Sequence, residues 1–155
     1  MIKDKVKEYW DNKPAGIFHS KEKEGSLPFF EEVRKKRYFV EYFIPEVAQF
    51  HKAKNWNMLE IGHGLGTDGL EFIRNGAKYT GIDISDKANE LFTKRLHLYN
   101  YVAELHKIDI TETNIFQECT FDFIYCWGVL MHMPKMDKAI NIIYQLLKRQ
   151  FLAKL

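Results

Sequence analysis

Cysteine is scarce in this chain: only Cys119 and Cys126 occur. No disulfide framework can brace the fold, and the two are not spaced as metal ligands, so no metal site is expected and a reduced, cytoplasmic setting is the simplest reading. An excess of charge of one sign is also missing. The 23 basic and 21 acidic residues leave a formal net charge of +2, which gives no reason to expect nucleic acid as a partner. No apolar run approaches the roughly 20 residues of a membrane span, so no membrane partner is expected either. The N-terminal MIKDKVKEYWDNK is too charged for a secretory signal peptide. Repeats and low-complexity stretches are absent, which excludes solenoids and arrays.

What is present suits one core-forming domain of 155 residues, with a 15% aromatic share. The first 26 residues are polar, with Trp10, Ile17 and Phe18 interrupting them, and read as an arm or short helix that lies on something. Ser26 is placed to cap a helix opening near Pro28. The Ile44-Pro45 pair should break that helix, with a short second one following. Residues 1–52 thus read as a cap or lid. From Asn57 onward, apolar strands alternate with helical stripes. Strands are predicted at MLEI, at Tyr79–Ile82, at Tyr101–Ile108 and at Phe121–Trp127. Helices begin at Thr67, at Ser85 and near Pro134, the last with Ile140, Ile143 and Leu147 on one stripe. This alternation argues an α/β, doubly wound, mostly parallel sheet over residues 53–155.

The stretch MLEIGHGLGTD places Gly62, Gly64 and Gly66 between a strand and a helix. Bare glycines there let backbone N–H groups reach a ligand, and the helix start adds a positive field. The spacing is neither the dinucleotide G-x-G-x-x-G nor a Walker loop, since no Gly-Lys-Ser/Thr follows. Glu60, just before the turn, suits an amine-bearing ligand better than a pyrophosphate. Asp83 ends the second strand, where doubly wound folds bind a ribose diol. Asp109 follows the third strand and can accept from a base amino group. Trp127-Gly128 follows the fourth and can line a pocket floor.

These four pieces, in register, resemble the class I S-adenosylmethionine-dependent methyltransferases, small-molecule branch. The resemblance covers roughly residues 57–149. It implies a Rossmann-like fold and S-adenosylmethionine as cofactor, leaving S-adenosylhomocysteine as product. It places Glu60 near the methionine amino end, Asp83 on the ribose and Asp109 on the adenine. His63, Ile84, Ile110 and Trp127 complete the cofactor-binding set with the three glycines. His132 matches a histidine before the proline-containing turn and is the candidate general base; the competing reading is local packing. The acceptor would be a small molecule. Two alternatives stay open: a non-catalytic S-adenosylmethionine-binding or dimeric assembly module, and a nicotinamide-dependent oxidoreductase, which the glycine spacing and Glu60 disfavour.

The end of the chain, IYQLLKRQFLAKL, offers no turn signal toward the later strands of that family. About four of the usual seven strands are expected, leaving one edge of the strand at 121–127 bare. A homodimer or a partner chain through that edge, or a covering by the aromatic N-terminal segment, is therefore expected. Phe39, Tyr42 and Phe43, with Trp10, Phe29, Phe30 and Tyr38, read as core and lid packing, and Arg34-Lys35-Lys36-Arg37 reads as a solvated helix face.

Overall fold

The structure, a computed structural model, describes residues 2–112, 114–147 and 153–154. In chain order the elements are α1 (Ile2–Asn12), α2 (Leu27–Val40), α3 (Ile44–Ala48), β1 (Asn57–Ile61), α4 (Thr67–Arg74), β2 (Lys78–Asp83), α5 (Asp86–Leu98), β3 (Glu104–Lys107), β4 (Phe123–Tyr125), α6 (Met136–Leu146) and β5 (Ala153–Lys154). The sheet runs β3-β2-β1-β4-β5 with every pairing parallel. Residues Met58 to Ile61 of β1 are all buried, as expected of a central parallel strand covered on both faces.

Local chemistry sets the helix ends. Ser26 Oγ accepts from Phe29 N at 3.3 Å and opens α2. Ser85 Oγ accepts from Ala88 N at 3.0 Å and opens α5. Gly76, at φ 87°, takes the left-handed turn after α4 that leads into β2. Two apolar layers close the sheet. On one face, Ile44 and Ala48 of α3 join Met58, Phe72, Phe92 and Phe123. On the other, Leu59, Ile82 and Ile124 meet Ala139 and Ile143 of α6. Phe72 is fully buried; an aromatic so placed contributes on the order of 1.5–3 kcal/mol.

The N-terminal arm takes the helical one of its two expected forms over the eleven residues of α1. Three other expectations change. The third strand is shorter than Tyr101–Ile108, spanning only Glu104–Lys107. The fourth is shorter than Phe121–Trp127, spanning Phe123–Tyr125. The edge of β4 is not bare: Ile124 and Tyr125 pair with Ala153 and Lys154, and Phe121 bridges to Leu147. The physical reason is that unpaired N–H and C=O groups on a β-prone strand favour any extended partner, and β5 supplies one without a second chain.

Candidate functional site

The glycine turn is shaped by a different demand at each glycine. Gly62 has φ 74°, and a Cβ there would lie 2.3 Å from Val129 Cγ2, so the turn passes tightly under the segment after β4. Gly66 has φ 67°, and a Cβ there would meet the Phe92 ring at 1.9 Å. Gly64 has φ 53°, and a Cβ there would meet nothing among the described residues within 4 Å. Two of the glycines therefore serve close packing, while Gly64 borders open space.

That space is a cavity of about 550 Å³ at the carboxyl ends of the strands, within the range typical of small-molecule sites. It lies where the chain order reverses between β1 and β4, the usual ligand position in such sheets. Gly62, Gly64, Asp83, Ile84, Asp109, Ile110, Trp127 and His132 all line it. A smaller cavity of about 90 Å³ adjoins it, sharing Gly62, Gly64 and Trp127 and adding Glu60, His63, Arg37 and Asp68. Of the candidate catalytic and cofactor-binding residues, only Gly66 lines neither cavity; it lets α4 begin against Phe92.

Asp83 is held by the backbone around it. Its Oδ2 accepts from Gly64 N at 2.9 Å and its Oδ1 from Ser85 N at 2.9 Å. The carboxylate thus ties the end of β2 to the glycine turn and keeps lone pairs for a ligand. Asp109 Oδ1 accepts from Thr111 N and Thr111 Oγ1, each at 2.8 Å, which fixes the turn after β3. Ile84, Ala88 and Ile110 supply apolar wall between these two acids.

His63 belongs to the smaller cavity, not the larger. Its ring is buried beside Phe92 at 5.1 Å, with Nδ1 on Gly64 O at 3.0 Å and Nε2 on Asn89 Oδ1 at 3.2 Å. Burial lowers its pKa, so the neutral ring braces the turn.

Glu60 is 4% exposed and accepts from Tyr79 OH at 2.5 Å. Burial, then the charge of Asp68, raises its carboxyl to about 8. Asp68 itself gathers Arg37 Nη2 at 2.5 Å, Tyr38 OH at 3.0 Å and Tyr125 OH at 3.1 Å. Arg37 also donates to Glu41, and Glu41 Oε1 accepts from Trp127 Nε1 at 3.1 Å. This chain of bonds runs from α2 to the cavity wall and fixes the Trp127 indole, which lies nearly parallel to the Tyr125 ring at 7°.

Residues 1–52 were expected as a cap, but Val6 and Trp10 were not expected on the cavity. Val6 and Trp10 of α1 line the large cavity, and the Trp10 ring meets His132 edge-on at 5.3 Å. α1 is fastened to the start of α5: Lys7 Nζ donates to Asp86 Oδ2 at 2.8 Å, Asp86 N to Asp11 Oδ1 at 2.7 Å, and Ser85 Oγ to the Trp10 carbonyl at 3.3 Å. An isolated Trp10 in a polar stretch was the signal available. The Arg37–Asp68 pair had none, since its members lie on different elements.

Residues 58–150 match a family model described as a methyltransferase domain. A ubiquinone biosynthesis O-methyltransferase from Azoarcus sp. (strain BH72) is 29% identical over 93 residues, covering 59% of this chain and 39% of that protein. The protein of the same name from Alkalilimnicola ehrlichii is 32% identical over 93 residues, covering 59% and 37%. The chain therefore spans less than two fifths of the length of these relatives. The crystal structure of magnesium protoporphyrin IX methyltransferase from Synechocystis PCC 6803 with bound SAM has a TM-score of 0.69, at 17% identity, over 95% of this chain and 72% of that one, and shows the shared fold. With more than half of its length matched by the family model, the chain belongs to the methyltransferase domain family.

Proposed function

We propose that this chain binds S-adenosylmethionine and directs its methyl group to a small-molecule acceptor. The supporting observation is that one cavity gathers the open Gly64 backbone, the Asp83 carboxylate and the Asp109–Ile110 turn, and that Glu60 lines the space adjoining it. The donor and acceptor chemistry fits a nucleoside carrying an amino acid. Asp83 is placed to accept from ribose hydroxyls, and Asp109 to accept from a purine amino group. Ile84 and Ile110 offer apolar contact to a flat base, and Glu60 offers a carboxylate to an ammonium.

Bound there, the cofactor supplies an electrophilic methyl group on a sulfonium. The chain's own part is alignment and exclusion of water. Trp127, held by Glu41, gives a rigid wall shared by both cavities. Val6 and Trp10 of α1 line the larger cavity as well. His132, on the same cavity and against Trp10, is the side chain assigned to accept a proton from an acceptor hydroxyl.

Titration calorimetry with S-adenosylhomocysteine and with NAD tests this reading. S-adenosylhomocysteine should bind, and Asp83→Ala should weaken it at least about tenfold through loss of charge-assisted hydrogen bonds. Binding of NAD without S-adenosylhomocysteine overturns the reading. Turnover on a panel of hydroxylated acceptors separates a methyltransferase from a module that only binds the cofactor.

A further inference from the structure

The outer side of α2 carries an apolar patch that no other described residue covers. Phe29, Phe30 and Val33 of α2 are buried, whereas Phe39 is 78% exposed, Val40 56% and, in the turn that follows, Tyr42 78%. The basic run beside the patch is divided in two. Arg34 and Arg37 pair with Glu71 and Asp68, at 2.7 and 2.5 Å, and so belong to the fold. Lys35 and Lys36 instead face solvent, and Lys36 Nζ lies 5.7 Å above the Phe39 ring. Phe43, next in the chain, meets the Trp127 indole at 5.8 Å, so the patch is continuous with a wall of the cavities.

We infer that this face is a docking surface for an anionic lipid bilayer. Aromatic rings on a helix end, with lysines directly beside them, match the two layers of a membrane interface: apolar acyl boundary and negative headgroups. A surface built only for solvent has no use for three large apolar side chains in four positions. Anionic headgroups complement Lys35 and Lys36, which face solvent beside the rings. The orientation would set Phe43 and Trp127 near the lipid, so that an apolar acceptor could pass from the bilayer toward the cavity without crossing water. No helix among the described residues is long and apolar enough to span a membrane, so the contact would be peripheral.

Co-sedimentation with vesicles tests the inference. The chain should bind vesicles of phosphatidylcholine with phosphatidylserine and bind far less to phosphatidylcholine alone, with binding that falls as salt rises. The double change Phe39→Ser/Tyr42→Ser should lower partitioning at least about tenfold. Lys35→Gln/Lys36→Gln should lower it roughly 30-fold on anionic vesicles only. These side chains are exposed, so circular dichroism and the binding of S-adenosylhomocysteine should be unchanged in both variants. Failure of the native chain to bind anionic vesicles, or unchanged partitioning of both variants, overturns the inference. A stable dimer in light scattering that Phe39→Ser/Tyr42→Ser disperses also overturns it and assigns the patch to a second copy.

Discussion

Exchanging Gly66 or Gly64 for alanine makes one added methyl group act in opposite ways two residues apart. Both residues have positive φ, 67° and 53°, so each alanine carries a left-handed backbone cost of about 1–2 kcal/mol. At Gly66 the new Cβ also overlaps the Phe92 ring at 1.9 Å. Phe92 is completely buried and wedged between His63 and Tyr79, so the ring cannot step aside. Overpacking of this kind adds about 1–3 kcal/mol. Gly66→Ala should therefore lose about 2–5 kcal/mol in urea unfolding, or at least about 4 °C in melting temperature. At Gly64 the methyl meets no atom of the described residues within 4 Å, so only the backbone cost remains, about 1–2 kcal/mol. Gly64 borders both cavities, however, and the methyl stands where a ligand would approach the backbone. Gly64→Ala should thus stay folded and lose most of its affinity for S-adenosylhomocysteine in calorimetry. The reasoning is refuted if Gly66→Ala is as stable as the native chain, or if Gly64→Ala binds S-adenosylhomocysteine undiminished.

Further outcomes follow from the buried charges. The folded pKa of Glu60, about 8, lies above its ordinary value of 4.5, so its favourable contribution is complete below about pH 4.5 and is lost as pH rises through 8. Glu60→Gln keeps the neutral shape and should therefore gain stability over the native chain across that window, on the order of a few kcal/mol; parallel urea curves at pH 5 and pH 8.5 with a constant difference would contradict this. An ammonium bound beside Glu60 would restore its charge, so binding of S-adenosylhomocysteine near pH 7 should release a proton, measurable as a binding enthalpy that varies with buffer. Arg95 is wholly buried and donates to Leu65 O at 3.2 Å, Thr67 Oγ1 at 2.8 Å and Phe30 O at 3.2 Å. Arg95→Leu strands those acceptors and should cost at least about 3 kcal/mol; an unchanged urea midpoint would show that water replaces the guanidinium.

The sequence disclosed what local patterning can disclose. Strand, glycine turn and helix followed from residues adjacent in the chain, and Asp83 and Asp109 were legible because parallel strands deliver their last residues to one edge. The division of labour among the glycines was not legible, because Phe92 and Val129, which decide it, come from later elements. The Arg37–Asp68–Tyr125 network was hidden for the same reason: Arg34 to Arg37 reads as one solvated run until α4 is packed against α2 and claims two of its four charges. Phe39 and Tyr42 were expected in packing and lie outside, because helical spacing reports which residues share a face and not whether anything covers it. β5 escaped notice because two residues are too few for any periodicity.

The fastening of α1 has a consequence for kinetics. This helix forms one wall of the large cavity, yet what ties it to α5 is a few polar contacts at the rim, around Ser85 and Asp86. A ligand that enters past this wall waits for it to open and leaves the same way. Entry and exit should both follow the helix's own opening rate, so that association falls below the encounter limit and residence lengthens without any gain in contacts. Shortening the chain past Trp10 should accelerate both steps together, a change that an equilibrium measurement alone would understate.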